Sequence, residues 1–343
     1  MKKEGEIKRT NLKHNKWPSI ESFAHVRRYV KDLRKNDKFS QMFHMNYGGK
    51  VKLHGTNAAV QVTPEGEVVA QKRTSVIYPD NDNQGFAQWV FENEDYFKDV
   101  ASEYTMTIHG EWFGPKIQKG VACSLIPDKK FAVFAIEMAS LGNPPTYYVE
   151  PFQIERMIGR EGPWYILPWE HELFIDFTDD YKSQRAAAEI TNKVLEVEAC
   201  DPFIKKNFGI EGTGEGLVYF PKFDSLIGCY AHAMSPFIFK AKGKKHQSNA
   251  HKSTKEPIDI EKLNSIEEFV DKFVTESRLN QALVEAVNNE YRTKLIGTFL
   301  KWVSDDIEKE SVAELEESDL TWNDVRKHVM TCARCWYQKN IDE

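Results

Sequence analysis

The feature that most constrains this chain is a change of hydrophobic period near residue 245. From about 45 to 240, apolar residues fall in short runs, many of them alternating, separated by turn residues. Such runs predict strands at 58–62, 67–71, 104–111, 131–138, 146–149, 216–220 and 237–240. Thr63-Pro64-Glu65-Gly66 reads as a turn, so 58–71 is expected to form a hairpin. Helical spacing predicts helices at 22–33, 85–99 and 182–199. Beyond Lys245 the period becomes helical. Ser265-Ile266-Glu267-Glu268 reads as a capping box opening a helix. Thr321-Trp322-Asn323-Asp324 starts a last helix, with Val325, Val329, Cys332 and Trp336 in a stripe. The expected architecture is α+β: an antiparallel-sheet domain followed by a small all-α domain. The expected boundaries are a polar N-terminal arm at 1–16, the sheet domain at 17–245, a linker at 246–255 and the helical domain at 256–343.

Charge divides along the same line. The whole chain carries −6, and residues 255–343, with 20 acids and 12 bases, account for −8, leaving the first 254 residues at +2. The segment 240–255 has six lysines, two histidines and no acid. The net acidity therefore neither demands nor excludes a polyanionic ligand. No apolar run is long enough to span a bilayer, and the first residues lack the apolar stretch of a secretory signal. The five cysteines, at 123, 200, 229, 332 and 335, form no framework. A cytoplasmic, reducing setting is expected. Cys332 and Cys335 with His328 suit one helix face better than a metal site, since no second pair accompanies them.

Chemistry concentrates in five segments. The first is Lys52-Leu53-His54-Gly55-Thr56-Asn57, a lysine beside a glycine turn. A lysine amine attacks a phosphorus or carbonyl centre only once it is neutral. In the second, alternation places Tyr104, Met106 and Ile108 on one face and Thr107, His109 and Glu111 on the other. Glu111, before Gly114-Pro115, suits either a sugar hydroxyl or the surface. In the third, alternation puts Ala132, Phe134 and Ile136 on one face. Phe134 suits either a nucleobase or the core. The fourth holds Glu215 between two glycines, which leave room for a phosphate or metal. The fifth ends a buried strand on Lys240 and Lys242, two apart and so on one face. Together they could serve one phosphate.

Taken in order, these segments resemble the covalent nucleotidyltransferase superfamily of ATP-dependent polynucleotide ligases and capping enzymes. They are most similar to the phage RNA ligase 2 family, whose relatives include trypanosome RNA-editing ligases. The resemblance spans about 17–245. It includes Gln71-Lys72-Arg73-Thr74 and Ile117-Gln118-Lys119, and the K-x-H-G-T-N form of the lysine segment separates RNA ligases from DNA ligases and capping enzymes. It implies an adenylyltransferase fold and ATP as substrate. Lys52 would attack the α-phosphate, forming lysyl-AMP. The AMP would pass to an RNA 5′-phosphate, and an RNA 3′-OH would displace it. Glu111 would bind ribose, Phe134 would stack on adenine, and Arg73 would contact ribose or RNA phosphate. Lys240 and Lys242 would hold the α-phosphate. Glu215 and Asn57 would hold Mg²⁺ or Mn²⁺. His54 and Asn57 would serve metal, leaving-group or RNA-phosphate contacts.

The implied partner is RNA with nicked or bridged duplex ends, and a monomer acting away from membranes is expected. Two departures stand out. Ala135 occupies a place where the family carries an acid, with Glu137 as a substitute if strand alternation slips. Val51 precedes Lys52 where phage relatives carry Glu. DNA ligase or capping guanylyltransferase, and a non-catalytic RNA-binding protein, are the competing readings. The acidic helical tail argues against the first two, which normally carry an OB barrel there. The joint presence of Lys52, Glu111, Glu215, Lys240 and Lys242 argues against the third.

Overall fold

The computed structural model describes residues 12–34, 43–139, 144–178, 180–222, 229–243, 260–317 and 320–341. The expected linker at 246–255 lies outside them. The chain divides into two compact units, one of residues 1–177 and 190–253, the other of 178–189 and 254–343. The division falls within the helix Asp180–Ala199.

The strands of the first unit are β1 (Glu21–Ser22), β2 (His44–Val51), β3 (Thr56–Val62), β4 (Val68–Lys72), β5 (Val76–Ile77), β6 (Thr105–Phe113), β7 (Lys130–Ala139), β8 (Thr146–Tyr148), β9 (Trp164–Ile166), β10 (His171–Asp176), β11 (Gly216–Pro221), β12 (Cys229–Tyr230) and β13 (Phe239–Lys242). They form two sheets. One runs β1-β13-β11-β2-β10, the other β12-β8-β7-β6-β3-β4-β5 with β9 beside β7. Pairing is antiparallel except for β1 with β13 and β7 with β9. The β3–β4 hairpin closes through Gly66 N–H donating to the Thr63 carbonyl at 2.9 Å.

The second sheet buries one face against the helices Phe86–Glu92, Glu94–Lys98 and Pro151–Ile158. Val60, Ile108, Phe131 and Ile136 are fully buried there, as are Phe86, Phe97 and Ile154 from the helices. Each such side chain contributes about 1.5–3 kcal/mol relative to exposure. The helix expected at 85–99 is broken at Asn93. Its backbone N–H and side-chain amide both donate to the Trp89 carbonyl, ending one helix and starting the next.

On β6 the expected alternation holds within the strand. Met106, Ile108 and Trp112 enter this core, while Thr107, His109 and Glu111 face away. Tyr104 lies outside the strand and is exposed. On β7 the expectation fails, because His109 pairs with Ala135 and Gly110 with Val133. Phe134 is thus an extra residue, a β-bulge, and parity changes across it. Val133 and Ile136 join the helix-covered core, whereas Phe134 and Ala135 join a cluster with Trp17 and Phe220 on the other side.

That other side carries a layer of buried polar groups: Gln61, Gln71, Thr107, His109 and Glu137. Residues 12–16, expected at the end of a polar arm, lie against it. The Asn15 side-chain amide donates to Thr107 Oγ1 at 3.0 Å and to Glu137 Oε1 at 2.7 Å, and its backbone N–H donates to Gln71 Oε1 at 2.9 Å. Trp17 follows, only 6% exposed, packed on His109, Phe134 and Tyr147. Buried polar groups without partners are costly, and Asn15 supplies partners for Gln71, Thr107 and Glu137. Glu137 is therefore committed to Asn15 and does not replace the acid missing at Ala135.

The second unit is helical: Ile260–Phe273, Glu276–Val287, Ile296–Glu310, Val312–Glu317 and Trp322–Lys339. Ser265 lies inside the first of these helices, so the expected capping box at 265–268 does not open it. Thr321 does cap the last helix, with Asp324 reciprocating. The fully buried stripe of that helix is Val325, Val329, Ala333 and Tyr337. Cys332 and Trp336 flank it, partly buried. Among the described residues no helix is long and apolar enough to cross a membrane.

Candidate active site

Three neighbouring strands of the first sheet, β13, β11 and β2, bring distant residues to one end. Lys52 follows β2, and its N–H donates to the Gly216 carbonyl at the start of β11 at 2.8 Å. Gly216 is in register with Lys242 on β13. Glu215 precedes Gly216, and its carbonyl accepts from Gly243 N–H at 3.0 Å. Gly216 has φ of +144°, and a Cβ there would lie 2.1 Å from the Ala241 carbonyl oxygen. Only glycine fits that crossing.

The Glu215 carboxylate, 2% exposed, is the hub. Lys52 Nζ approaches Oε2 at 2.8 Å, His54 Nδ1 the same oxygen at 3.0 Å, and Lys242 Nζ approaches Oε1 at 2.7 Å. Burial works to raise the Glu215 carboxyl, but Lys52 and Lys242 overcome it and hold the group below the usual carboxylate range. Lys240 is pushed the other way, below the ordinary lysine value, by burial and then by the like charges of Lys242, Lys52 and Arg73.

The segment 52–55 then crosses to the second sheet, where β3 begins. Gly55 passes so close to β6 that a Cβ would lie 2.3 Å from the Trp112 carbonyl oxygen. Its N–H donates to Glu111 Oε1 at 3.1 Å. Lys52, Asn57, Arg73, Glu111, Phe134, Lys240 and Lys242 line one cavity of about 590 Å³. Every residue assigned to nucleotide binding from the sequence lines it except Glu215, which sits beneath Lys52 and Lys242. His54 is drawn to the same hub. A larger cavity of about 850 Å³, lined by Glu150, Phe152, Arg156, Phe174 and Lys222 among others, holds none of these residues. Chemistry, not volume, locates the site.

Sequence reasoning missed two further groups in the cavity wall. Trp17 and the following residues to Glu21 line it from the N-terminal segment. Lys50, two residues before Lys52, is 1% exposed and also lines it. Burial lowers its ammonium to about 7, against the opposing pull of Glu150. The two-residue strand period would have revealed Lys50, had β2 been recognisable.

Burial pushes the Glu111 carboxyl up to about 7, with Lys52 opposing. The folded chain therefore holds this proton more tightly than the unfolded chain. Stability from this group is complete below the ordinary carboxylate value and is lost as pH rises toward 7. Glu111→Gln, which is always neutral, should melt above wild type at about pH 8, with the gap closing toward about pH 4.5. Thermal melts across that range check this, and a gap that widens at low pH contradicts it.

Lys52, Arg73, Lys240 and Lys242 facing one cavity, with Lys50 in its wall, the Phe134 ring and the Glu111 carboxyl, suit a nucleoside triphosphate. Among the described residues no group of three or more His, Cys, Asp or Glu is arranged to hold a metal ion. A magnesium ion held through one or two protein oxygens and phosphate needs no such group. The Glu215 carboxylate and the Asn57 amide are donors of the right kind.

The RNA ligase family matches residues 47–242. No curated protein matches. Several solved forms of Naegleria gruberi RNA ligase are similar. A ligand-free mutant is 16% identical over 68% of this chain and 56% of that one, with a TM-score of 0.42. A mutant with ATP and Mn is 15% identical over 67% and 56%, with a TM-score of 0.43. A mutant with AMP and Mn is 14% identical over 68% and 56%, with a TM-score of 0.42. The chain thus spans a little over half the length of the Naegleria protein.

Proposed function

Since this chain belongs to the RNA ligase family, we propose that it joins RNA 3′-OH and 5′-phosphate ends at the expense of ATP, through an enzyme-bound lysyl-AMP. The observation that carries this reading is the convergence on Glu215 of Lys52, His54 and Lys242, at the edge of a cavity that also holds Lys240, Arg73, Glu111 and Phe134.

The steps follow from the groups present. The triphosphate enters between Lys240, Lys242 and Arg73, which compensate its charge. Lys52 releases its contact with Glu215, gives a proton to solvent, and its Nζ forms a bond to the α-phosphorus. The bond from that phosphorus to the β-phosphate oxygen breaks, and pyrophosphate leaves. Phe134 offers its ring to the base, and Glu111 accepts from a ribose hydroxyl. The AMP then transfers to an RNA 5′-phosphate, restoring the Lys52 amine. Attack by an RNA 3′-OH expels AMP and closes the phosphodiester. A divalent ion held through Glu215 and Asn57 would neutralise phosphate charge.

The preferred substrate in this reading is a nick in duplex RNA. The test compares sealing of nicked duplex RNA, single-stranded RNA and nicked DNA carrying identical ends. Sealing of the nicked RNA duplex at least about tenfold faster than the others is the expected result. Faster sealing of DNA overturns the substrate assignment, and no sealing of any end overturns ligation.

A further inference from the structure

We propose that Lys50 is a positioning residue for nucleotide binding: it fixes Phe134 in the cavity wall by holding its backbone carbonyl at the β7 bulge. The inference rests on the nucleotide reading of the cavity.

The bulge comes first. Across it His109 pairs with Ala135 and Gly110 with Val133, so Phe134 has no residue opposite it. At a bulge the regular ladder is interrupted, and a side-chain donor can hold the backbone there. The donor is Lys50 Nζ, 2.8 Å from the Phe134 oxygen. The ammonium is enclosed by the Trp169 ring at 4.8 Å and the Phe220 ring at 5.7 Å, both within cation–π range. The Phe134 ring itself rests on Trp17 at 5.0 Å, edge-on, and faces Phe220 at 6.5 Å. Phe220 thus touches both the lysine and the ring it positions.

A buried lysine is expensive unless it is paired, and a methionine of similar length would fill the space without that cost. Lys50 instead gives a hydrogen bond to one peptide oxygen, that of the residue offering its ring to the base. Lys50 and Lys52 lie two apart at the end of β2. One strand therefore sets both the attacking amine and the wall against which the base rests. Holding a ring in place before the nucleotide arrives lowers the cost of binding and leaves the chemical step unchanged.

The test is a double-mutant cycle on covalent labelling by α-labelled ATP, with rates normalised to the fraction of protein that can be labelled. Lys50→Met should raise the KM for ATP about tenfold while changing the maximal labelling rate less than about threefold, the size expected for one charge-assisted hydrogen bond. Lys50→Arg keeps a donor in the same cage and should stay within about threefold of wild type in KM. Phe134→Leu should raise KM on its own, and adding Lys50→Met to it should raise KM by no more than about twofold further.

An undiminished effect of Lys50→Met in the Phe134→Leu background overturns the proposal, as does a KM for Lys50→Arg as high as that for Lys50→Met. Normalising to the labelled fraction keeps a partly folded variant from imitating the effect. If wild type takes no label, the nucleotide reading fails together with this inference. If wild type labels and the two substitutions act independently, only this inference fails.

Discussion

Lys52→Ala should take up no detectable label from α-labelled ATP, a loss of at least about 10,000-fold in the rate of covalent adenylylation. The expectation is this large because, among the described residues, the other amines of the cavity are assigned other roles. Lys240 and Lys242 line the same cavity but lie on β13. Lys50 is committed to the Phe134 carbonyl. Sealing of an RNA strand already carrying a 5′-AMP cap should survive better, because that step does not need the Lys52 adduct. Loss of both steps to the same degree would mean that Lys52 also serves the later chemistry. A variant that labels normally would remove Lys52 from the role of nucleophile.

The second large effect belongs to Glu215. Glu215→Ala removes the one carboxylate that Lys52, His54 and Lys242 share. Lys242 and Lys52 then repel one another without the carboxylate that bridges them, and the amine loses the contact that aims it. A preorganised charged group of this kind supports a rate factor of about 100- to 1,000-fold. Adenylylation should fall by that amount, while the far-UV spectrum stays that of a folded chain. Glu215→Gln keeps the shape but not the charge and should fall nearly as far. Activity within about tenfold of wild type for either variant would show that Glu215 only packs the site.

The chemistry of this site was more legible in the sequence than its geometry. Lys52, Glu111, Glu215, Lys240 and Lys242 stood out because each carries charge beside a glycine or at the end of an apolar run, and because they recur in one order. What the sequence withheld was the junction at Glu215, because it is made by strands distant in the chain. β2 is the clearest loss. It reads His-Met-Asn-Tyr-Gly-Gly-Lys-Val, and its two glycines suppress any strand signal. They are there because the rings of Trp169 and Tyr219 lie against the backbone: a Cβ would come within 2.6 Å at Gly48 and 2.8 Å at Gly49. With β2 hidden, Lys50 was hidden too.

The bulge at Phe134 was equally invisible, since strict alternation is what a sequence pattern assumes. It also explains the place where the resemblance is weakest. Ala135 is fully buried beside Trp17, Tyr147 and Phe220. Its methyl group meets the rings there, and Trp17 Nε1 and the Nε2 of His109, its register partner, have no hydrogen-bond partner among the described residues. The 12–16 segment reads as a polar arm because its partners, Gln71, Thr107 and Glu137, sit far away along the chain.

The central claim is that Lys52 becomes bonded to AMP. Incubating the full chain with α-labelled ATP and Mg²⁺, digesting it, and mapping the labelled peptide by mass spectrometry tests this directly. One adduct is expected, on Lys52, stable in alkali and released by acid as a phosphoramidate should be. Label on any other residue, or no covalent label at all, contradicts it.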